Sequence, residues 1–353
     1  LIDAARRASE DIPSGQHPYA VVLATGGAAT TALVLRLPRL ATLLVVAAAL
    51  QAAFIPLAAV YRRRGLPRWS SLAGLLRHPA EPYPGLFTIP LGLSALVSAL
   101  VLDDRGGKGT LVPTLAASFL PLIWILTAAL LYGFVRSLRR YGIPWERVSG
   151  AWFLVPAAVL GGSVTTLDVV SSSRSEWDGF CLGGTLVGWL LYFLVVALVG
   201  QRARRYGLGG VAQAPWWIAA GCGGLAALAL GRARSWDALN TALRAGLGSL
   251  TAWTDLFALA LWIPIFLSSA WFLLTRCRFR NRAVWSPAFS SCVLALGSLQ
   301  AAAIRRAPAL KALGEGIGYE ALLFWFAATV WECVVLGRAL VARGPRRTDG
   351  ADL

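Results

Sequence analysis

Apolar stretches long enough to cross a bilayer alternate along this 353-residue chain with short polar connections rich in arginine. About 20 predominantly apolar residues cross the hydrocarbon core. On that measure the sequence predicts ten spans, at 18–35, 40–61, 86–102, 111–135, 151–170, 179–200, 214–231, 247–275, 283–304 and 317–338. The odd-numbered spans are rich in small residues and kinks, as in A-T-G-G-A-A-T-T-A at 24–32, P-A-A-V-L-G-G-S at 156–163, A-A-G-C-G-G-L-A-A at 219–227 and S-P-A-F-S-S-C at 286–292. The even-numbered spans are bulky, as in L-V-G-W-L-L-Y-F-L-V-V at 186–196, L-W-I-P-I-F-L at 261–267 and L-L-F-W-F at 322–326. Small residues permit close backbone approach or leave room for a lumen, whereas large apolar side chains suit the acyl chains. The pattern therefore predicts an all-α integral membrane fold of five helical hairpins, each with its small-residue helix inside and its bulky partner facing lipid.

The third span shows the inner type most clearly. P-G-L-F-T-I-P-L-G-L-S-A-L-V-S-A-L, from Pro84 to Leu100, carries Thr88, Pro90, Gly92 and Ser94 where a lipid-facing helix would carry Leu, Ile or Phe. A proline within a membrane helix leaves the carbonyl four residues earlier, here that of Leu86, without its partner, which is tolerated where protein or a water-filled space satisfies it. The segment reads as interior.

Composition agrees with a polytopic membrane protein: 57% of residues are apolar, 14% are charged and the mean hydropathy is +0.63. Residues 1–17 form a polar tail without a cleavable-signal pattern, 18–338 the membrane domain and 339–353 a second tail. Cys181, Cys222, Cys277, Cys292 and Cys333 are an odd number, scattered in or beside apolar segments, with neither a disulfide framework nor a zinc spacing. His17 and His78 sit in separate loops, and Asp103-Asp104-Arg105 lacks the D-D-x-x-D spacing that would hold magnesium and a diphosphate. No cofactor or metal is expected, and an integral-membrane enzyme such as a prenyl transferase, which would require clustered ligands, stands as the alternative to a transporter.

Of the 33 Lys and Arg, 22 fall on the side of the termini and 11 on the other. The positive-inside rule then places both termini in the cytoplasm of a cell-membrane protein. The net charge of +16 is mostly this orientation signal, and no basic soluble domain exists to bind nucleic acid. The five odd spans as drawn contain no Lys or Arg. Nothing fixed and positive would hold an anion tightly there, which suits conduction, and Thr25, Thr88 and Ser163 offer hydroxyl donors. The arginine-rich loops would concentrate anions at one mouth. Three acids lie at membrane depth, Asp168, Asp255 and Glu332, and are candidates for proton coupling or for structural bonding.

Four stretches carry a family resemblance. V-V-L-A-T-G-G at 21–27 resembles the M-A-T-G-I opening of the tellurite-resistance and dicarboxylate transporter family, which includes bacterial TehA and the plant guard-cell slow anion channel. L-R-H-P-A-E-P-Y-P-G-L-F-T-I-P-L-G-L at 76–93 is similar to its passage into the third helix, S-G-A-W-F-L at 149–154 to its N-G-T-W-F-L, and V-W-S-P-A-F-S at 284–290 to its W-A-Y-T-F-P. The resemblance implies five hairpins around a central pore, a homotrimer with one pore per subunit, and transport of small anions such as chloride, nitrate, sulfite or malate.

It also implies that kinked odd helices line the conduit and that a ninth-helix phenylalanine, here Phe289, occludes it. On composition alone Phe289 reads as a core aromatic; the resemblance makes it the gate, with Ala288 and Ser290 giving it room. The expected lining is Gly26, Gly27, Thr88, Pro90, Gly92, Pro156, Gly161, Gly223 and Ser290. Gly27 replaces the usual isoleucine, Ser149 the asparagine and Ser290 the proline after the gate, so a non-transporting scaffold or sensor of the same fold is a further alternative.

Overall fold

The computed structural model of the protein describes residues 19–61, 84–104, 111–170, 176–207, 216–236, 239–276 and 285–341. The first tail, most of the second, the histidines and the arginine-rich connections at 62–77 and 277–282 lie outside the described residues. Those described form ten α-helices and no strand. In chain order they are α1 (Tyr19–Val34), α2 (Pro38–Tyr61), α3 (Thr88–Asp103), α4 (Leu111–Tyr141), α5 (Leu154–Val170), α6 (Glu176–Tyr206), α7 (Trp217–Ala233), α8 (Thr241–Arg276), α9 (Trp285–Arg305) and α10 (Pro308–Val341). Seven helices are long and apolar enough to cross a membrane, and the described apolar stretches Ala20–Val34, Pro38–Phe54 and Trp217–Ala233 are shorter.

The packing is cyclic. α1 lies against α3, α3 against α5, α5 against α7, α7 against α9, and α9 returns to α1. These five helices form a closed inner ring. Each remaining helix packs on its predecessor in the chain and on the next ring member: α2 on α1 and α3, α4 on α3 and α5, α6 on α5 and α7, α8 on α7 and α9, α10 on α9 and α1. Large exposed apolar side chains belong almost wholly to this outer layer, for example Leu43 and Phe54 on α2, Ile125 on α4, Leu190 on α6, Trp253 on α8 and Leu323 on α10. By contrast α5 is buried nearly all round from Leu154 to Thr166. A helix apolar and buried on every face belongs to the middle of the bundle, not its surface.

Glycine makes the ring possible. A side chain on Gly224 of α7 would collide with the α9 backbone at Leu294, and one on Gly297 of α9 would collide with Gly224 in return. A Cβ on Gly221 would lie 2.6 Å from the Ser290 Cα. The backbones therefore touch along this seam, the arrangement that small residues permit where lipid supplies no hydrophobic drive for helix association.

Indole N–H groups tie the two layers together. Trp124 on α4 donates to the Thr166 hydroxyl on α5 at 3.0 Å, Trp217 on α7 to Ser269 on α8 at 3.0 Å, and Trp325 on α10 to Thr25 on α1 at 3.1 Å. In double-mutant cycles such bonds within membranes are worth about 0.6 kcal/mol on average.

The expectation of kinked inner helices is corrected by where the prolines fall. Pro90, Pro156 and Pro287 each occupy the third position of α3, α5 and α9, and 3₁₀ turns at Pro84–Phe87 and Gly150–Phe153 lead into the first two of these helices. The first four N–H groups of a helix have no intrahelical partner, so proline costs nothing there. Leu86, whose carbonyl was expected to be orphaned, lies in the 3₁₀ turn before α3. Prolines inside helices, Pro121 and Pro264, belong to outer helices α4 and α8.

Candidate functional site

Contacts assign each face of α9, and the remaining face identifies the interior. Successive residues of an α-helix are about 100° apart. Ser290, Leu294 and Gly297 face α7, Ser298 faces α8 through Asp255, and Leu299 packs on Gly314 of α10. The face left over carries Phe289, Val293 and Leu296, spaced four and three residues apart, while Gln300, one turn further on, packs against Gly231 of α7. Phe289 is 4% exposed, and a Cβ on Gly27 of α1 would lie 3.6 Å from its ring. Phe289, Val293 and Leu296 belong to one apolar cluster with Leu23 of α1, Leu91 of α3, Val164 of α5 and Leu225 of α7. All five ring helices thus contribute to this cluster, which also takes in Tyr192 and Val195 of α6 and Ala328 of α10 and so joins the ring to the outer layer.

The expected lining residues distribute differently. Gly27 lies beside Phe289 as anticipated in position, with Cys292 also against it. Gly26 faces the α3 backbone at Ala95, Gly161 faces Leu91 and Ser94 of α3, and Gly223 faces Tyr192 and Ala258, outside the ring. These three glycines serve helix packing. Ser290 presses on Gly221 of α7 and so does not give Phe289 room on that side; its hydroxyl is buried without a hydrogen-bond partner among the described residues. Thr88, Pro90, Gly92 and Pro156 are all buried, Thr88 donating to the Gly85 carbonyl at 2.7 Å. The hydroxyls expected as anion donors are likewise spent locally, Thr25 on the Val21 carbonyl at 2.8 Å and Ser163 on Val159 at 3.1 Å. Ser149 accepts a 3.4 Å bond from the Ala151 amide and caps the turn before α5.

Charge enters the ring at one end. α7 continues past the predicted span to include Arg232, which meets Asp168 of α5 at 2.8 Å. Asp168 is therefore an ion-pair partner 3% exposed, and the inner helices do carry fixed cations, Arg232 near the end of α7 and Arg305 at the end of α9. Asp255 of α8 is wholly buried and accepts a 2.9 Å bond from Ser298 of α9. Glu332 is half-buried on α10. Sequence reading missed Glu320, also on α10, whose Oε1 is buried without a partner among the described residues. No group of three His, Cys, Asp or Glu placed to hold a metal ion occurs among the described residues.

A family model described as voltage-dependent anion channel, SLAC1, matches residues 17–334, nearly the whole chain and all five hairpins of the ring. The chain belongs to the SLAC1 family. Membership makes it a multi-pass membrane protein of an anion channel and transporter family, in accord with the apolar outer layer and the small-residue ring. It is also the family whose four short motifs the sequence resembles. No curated protein matches the chain. For a SLAC1 member the informative part of the geometry is the inward stripe of α9, where the largest side chain, Phe289, lies against a residue with no side chain at all.

Proposed function

We propose that the protein conducts small anions through the axis of the five-helix ring, and that Phe289 is the principal obstruction along it. The observation that carries this reading is the placement of Phe289 on the inward stripe of α9, over Gly27, within an apolar cluster drawn from all five inner helices. An apolar constriction holds an ion back because the ion would have to shed water without replacement, and it opens when side chains withdraw and water enters. All ten helices span the bilayer in this reading, with both termini cytoplasmic, and the lining is Leu23, Gly27, Leu91, Val164, Leu225, Phe289, Val293 and Leu296. Thr88, Pro90, Gly92, Pro156 and Ser290 act at its margin. Three such subunits form a homotrimer with three separate pores.

The anions proposed are chloride, nitrate, sulfite or a small dicarboxylate such as malate. An apolar throat favours ions of low hydration cost, so nitrate passes more readily than chloride. Proteoliposomes holding the purified protein, challenged with gradients of each anion, test the assignment: anion-selective flux with nitrate ahead of chloride supports it, and cation-selective flux contradicts it. The alternatives of an enzyme or a silent scaffold gain no observation of their own.

A further inference from the structure

The end of the bundle that carries the α1–α2 and α9–α10 turns holds a cavity of about 700 Å³ outside the ring. Its walls are the last turns of α1 and α9 and the first turns of α10. Three cations line it, Arg36, Arg306 and Lys311, against one acid, Glu315, which lies 3.7 Å from Lys311. The same cavity is also lined by the apolar Val34, Leu299 and Ala303, with Val34 46% exposed. Cationic and apolar side chains therefore share one space.

The backbone beneath two of those cations is unusual. Arg36 and Arg306 adopt left-handed conformations, with φ of 61° and 53°, at the residue that closes α1 and α9. The α1 turn is closed by bonds from the Arg36 amide to Leu33 and from the Leu37 amide to Ala32; at α9 the Ala307 amide bonds Ala302. This position ordinarily takes glycine, which has no Cβ to strain it. The protein uses glycine where α4 and α6 end in the same conformation, at Gly142 and Gly207. At both turns facing the cavity it carries arginine instead. A cation near a helix C-terminus complements the helix dipole, but that benefit needs no left-handed arginine, since the preceding turn would serve. Strain retained at two equivalent positions around one cavity points to a ligand.

We propose that this cavity binds an anionic phospholipid, with the phosphate of the headgroup held by Arg36, Arg306 and Lys311 and the upper part of an acyl chain lying on Val34, Leu299 and Ala303. Charge complementarity selects the anionic headgroup, and guanidinium pairs match phosphate geometry. The site lies where α1 and α9 end, the depth at which a headgroup meets protein. It bridges the first and last hairpins and so closes the ring from outside. The inference does not depend on which anion, if any, the ring conducts.

The test is native mass spectrometry of the full-length protein in detergent, with phosphatidylglycerol and phosphatidylcholine of identical acyl chains added in turn. Wild type retains phosphatidylglycerol at least fivefold better. In the Arg36→Gly/Arg306→Gly double variant, whose turns glycine suits, the preference falls below twofold while thermal stability without lipid is unchanged or higher. Lys311→Gln, on the helical side of the cavity, lowers the preference in a protein whose turns are untouched. Equal retention of both lipids by wild type, or the same preference in all variants, overturns the proposal. So does inorganic phosphate reproducing the whole stabilising effect of phosphatidylglycerol, since the apolar lining would then play no part.

Discussion

Arg232 of α7 and Asp168 of α5 meet at 2.8 Å where the two neighbouring ring helices approach their ends, with the arginine 28% and the aspartate 2% exposed at the side chain. The pair fixes two ring members to each other at one end of the ring. Asp168→Asn leaves the guanidinium unneutralised there. Anion flux at low ionic strength should rise severalfold, the gain shrinking as salt screens the charge. Arg232→Gln in the same background should abolish the gain. Removing one partner of a largely buried pair also costs about 1–3 kcal/mol, less than a fully buried pair because Arg232 reaches water.

The α7–α9 seam predicts an asymmetry between glycines. Gly224→Ala forces a methyl group into the α9 backbone at Leu294, where no flexible side chain can yield. Overpacking of this kind costs about 1–3 kcal/mol or more, and the variant should show a lower melting temperature in detergent. Gly183→Ala on α6, where a Cβ meets nothing within 4 Å, should leave melting unchanged or raise it.

That asymmetry marks what the sequence made legible. The alternation of small and bulky spans predicted which helices form the ring, because residue size decides both packing distance and lipid contact. Each predicted span falls on one α-helix, though the described apolar parts of α1, α2 and α7 are shorter than the seven that are long enough to cross a membrane. The same glycines do not by themselves separate a lining position from a packing contact. A glycine in a membrane helix marks a close approach, and only the neighbouring helix decides whether that approach is to backbone, as at Gly26 and Gly224, or to an aromatic ring, as at Gly27. Leu23, Leu91 and Leu225, which we propose as lining, carry no sequence signal of their own, since leucine reads alike facing lipid, core or lumen. Given the contact row Ser290, Leu294 and Gly297, helical periodicity alone would have found the stripe of Phe289, Val293 and Leu296. Prolines misled for a related reason: their meaning depends on distance from the helix start, and span prediction leaves that start uncertain by a few residues.

Trp124 is predicted to act as a tie between layers and not as a lipid anchor. Trp124→Phe keeps most of the ring's apolar surface and deletes the N–H that bonds Thr166. Stability should fall by about 0.6 kcal/mol and by no more than about 2. Thr166→Val should cost a comparable amount, and the double variant should cost little more than either alone, as a thermodynamic cycle would measure.

Gly27 and Phe289 should trade places as obstructions. A Cβ at Gly27 lies 3.4 Å from the Cys292 Cβ and 3.6 Å from the Phe289 ring, so Gly27→Ala fits with the pore still closed. Gly27→Leu in a Phe289→Ala background refills the space vacated by the ring. Anion flux raised by Phe289→Ala should return towards the wild-type level in that double variant, read in proteoliposomes at matched protein density.

Anion conductance in planar bilayers across a series at position 289, from Phe through Leu and Val to Ala, tests the occlusion of the ring most directly. If Phe289 closes the axis, conductance rises stepwise as the side chain shrinks, by at least tenfold from Phe to Ala, with anion selectivity retained. Conductance independent of side-chain size in variants that fold and insert normally would contradict it, and would place the ion path away from the inward stripe of α9.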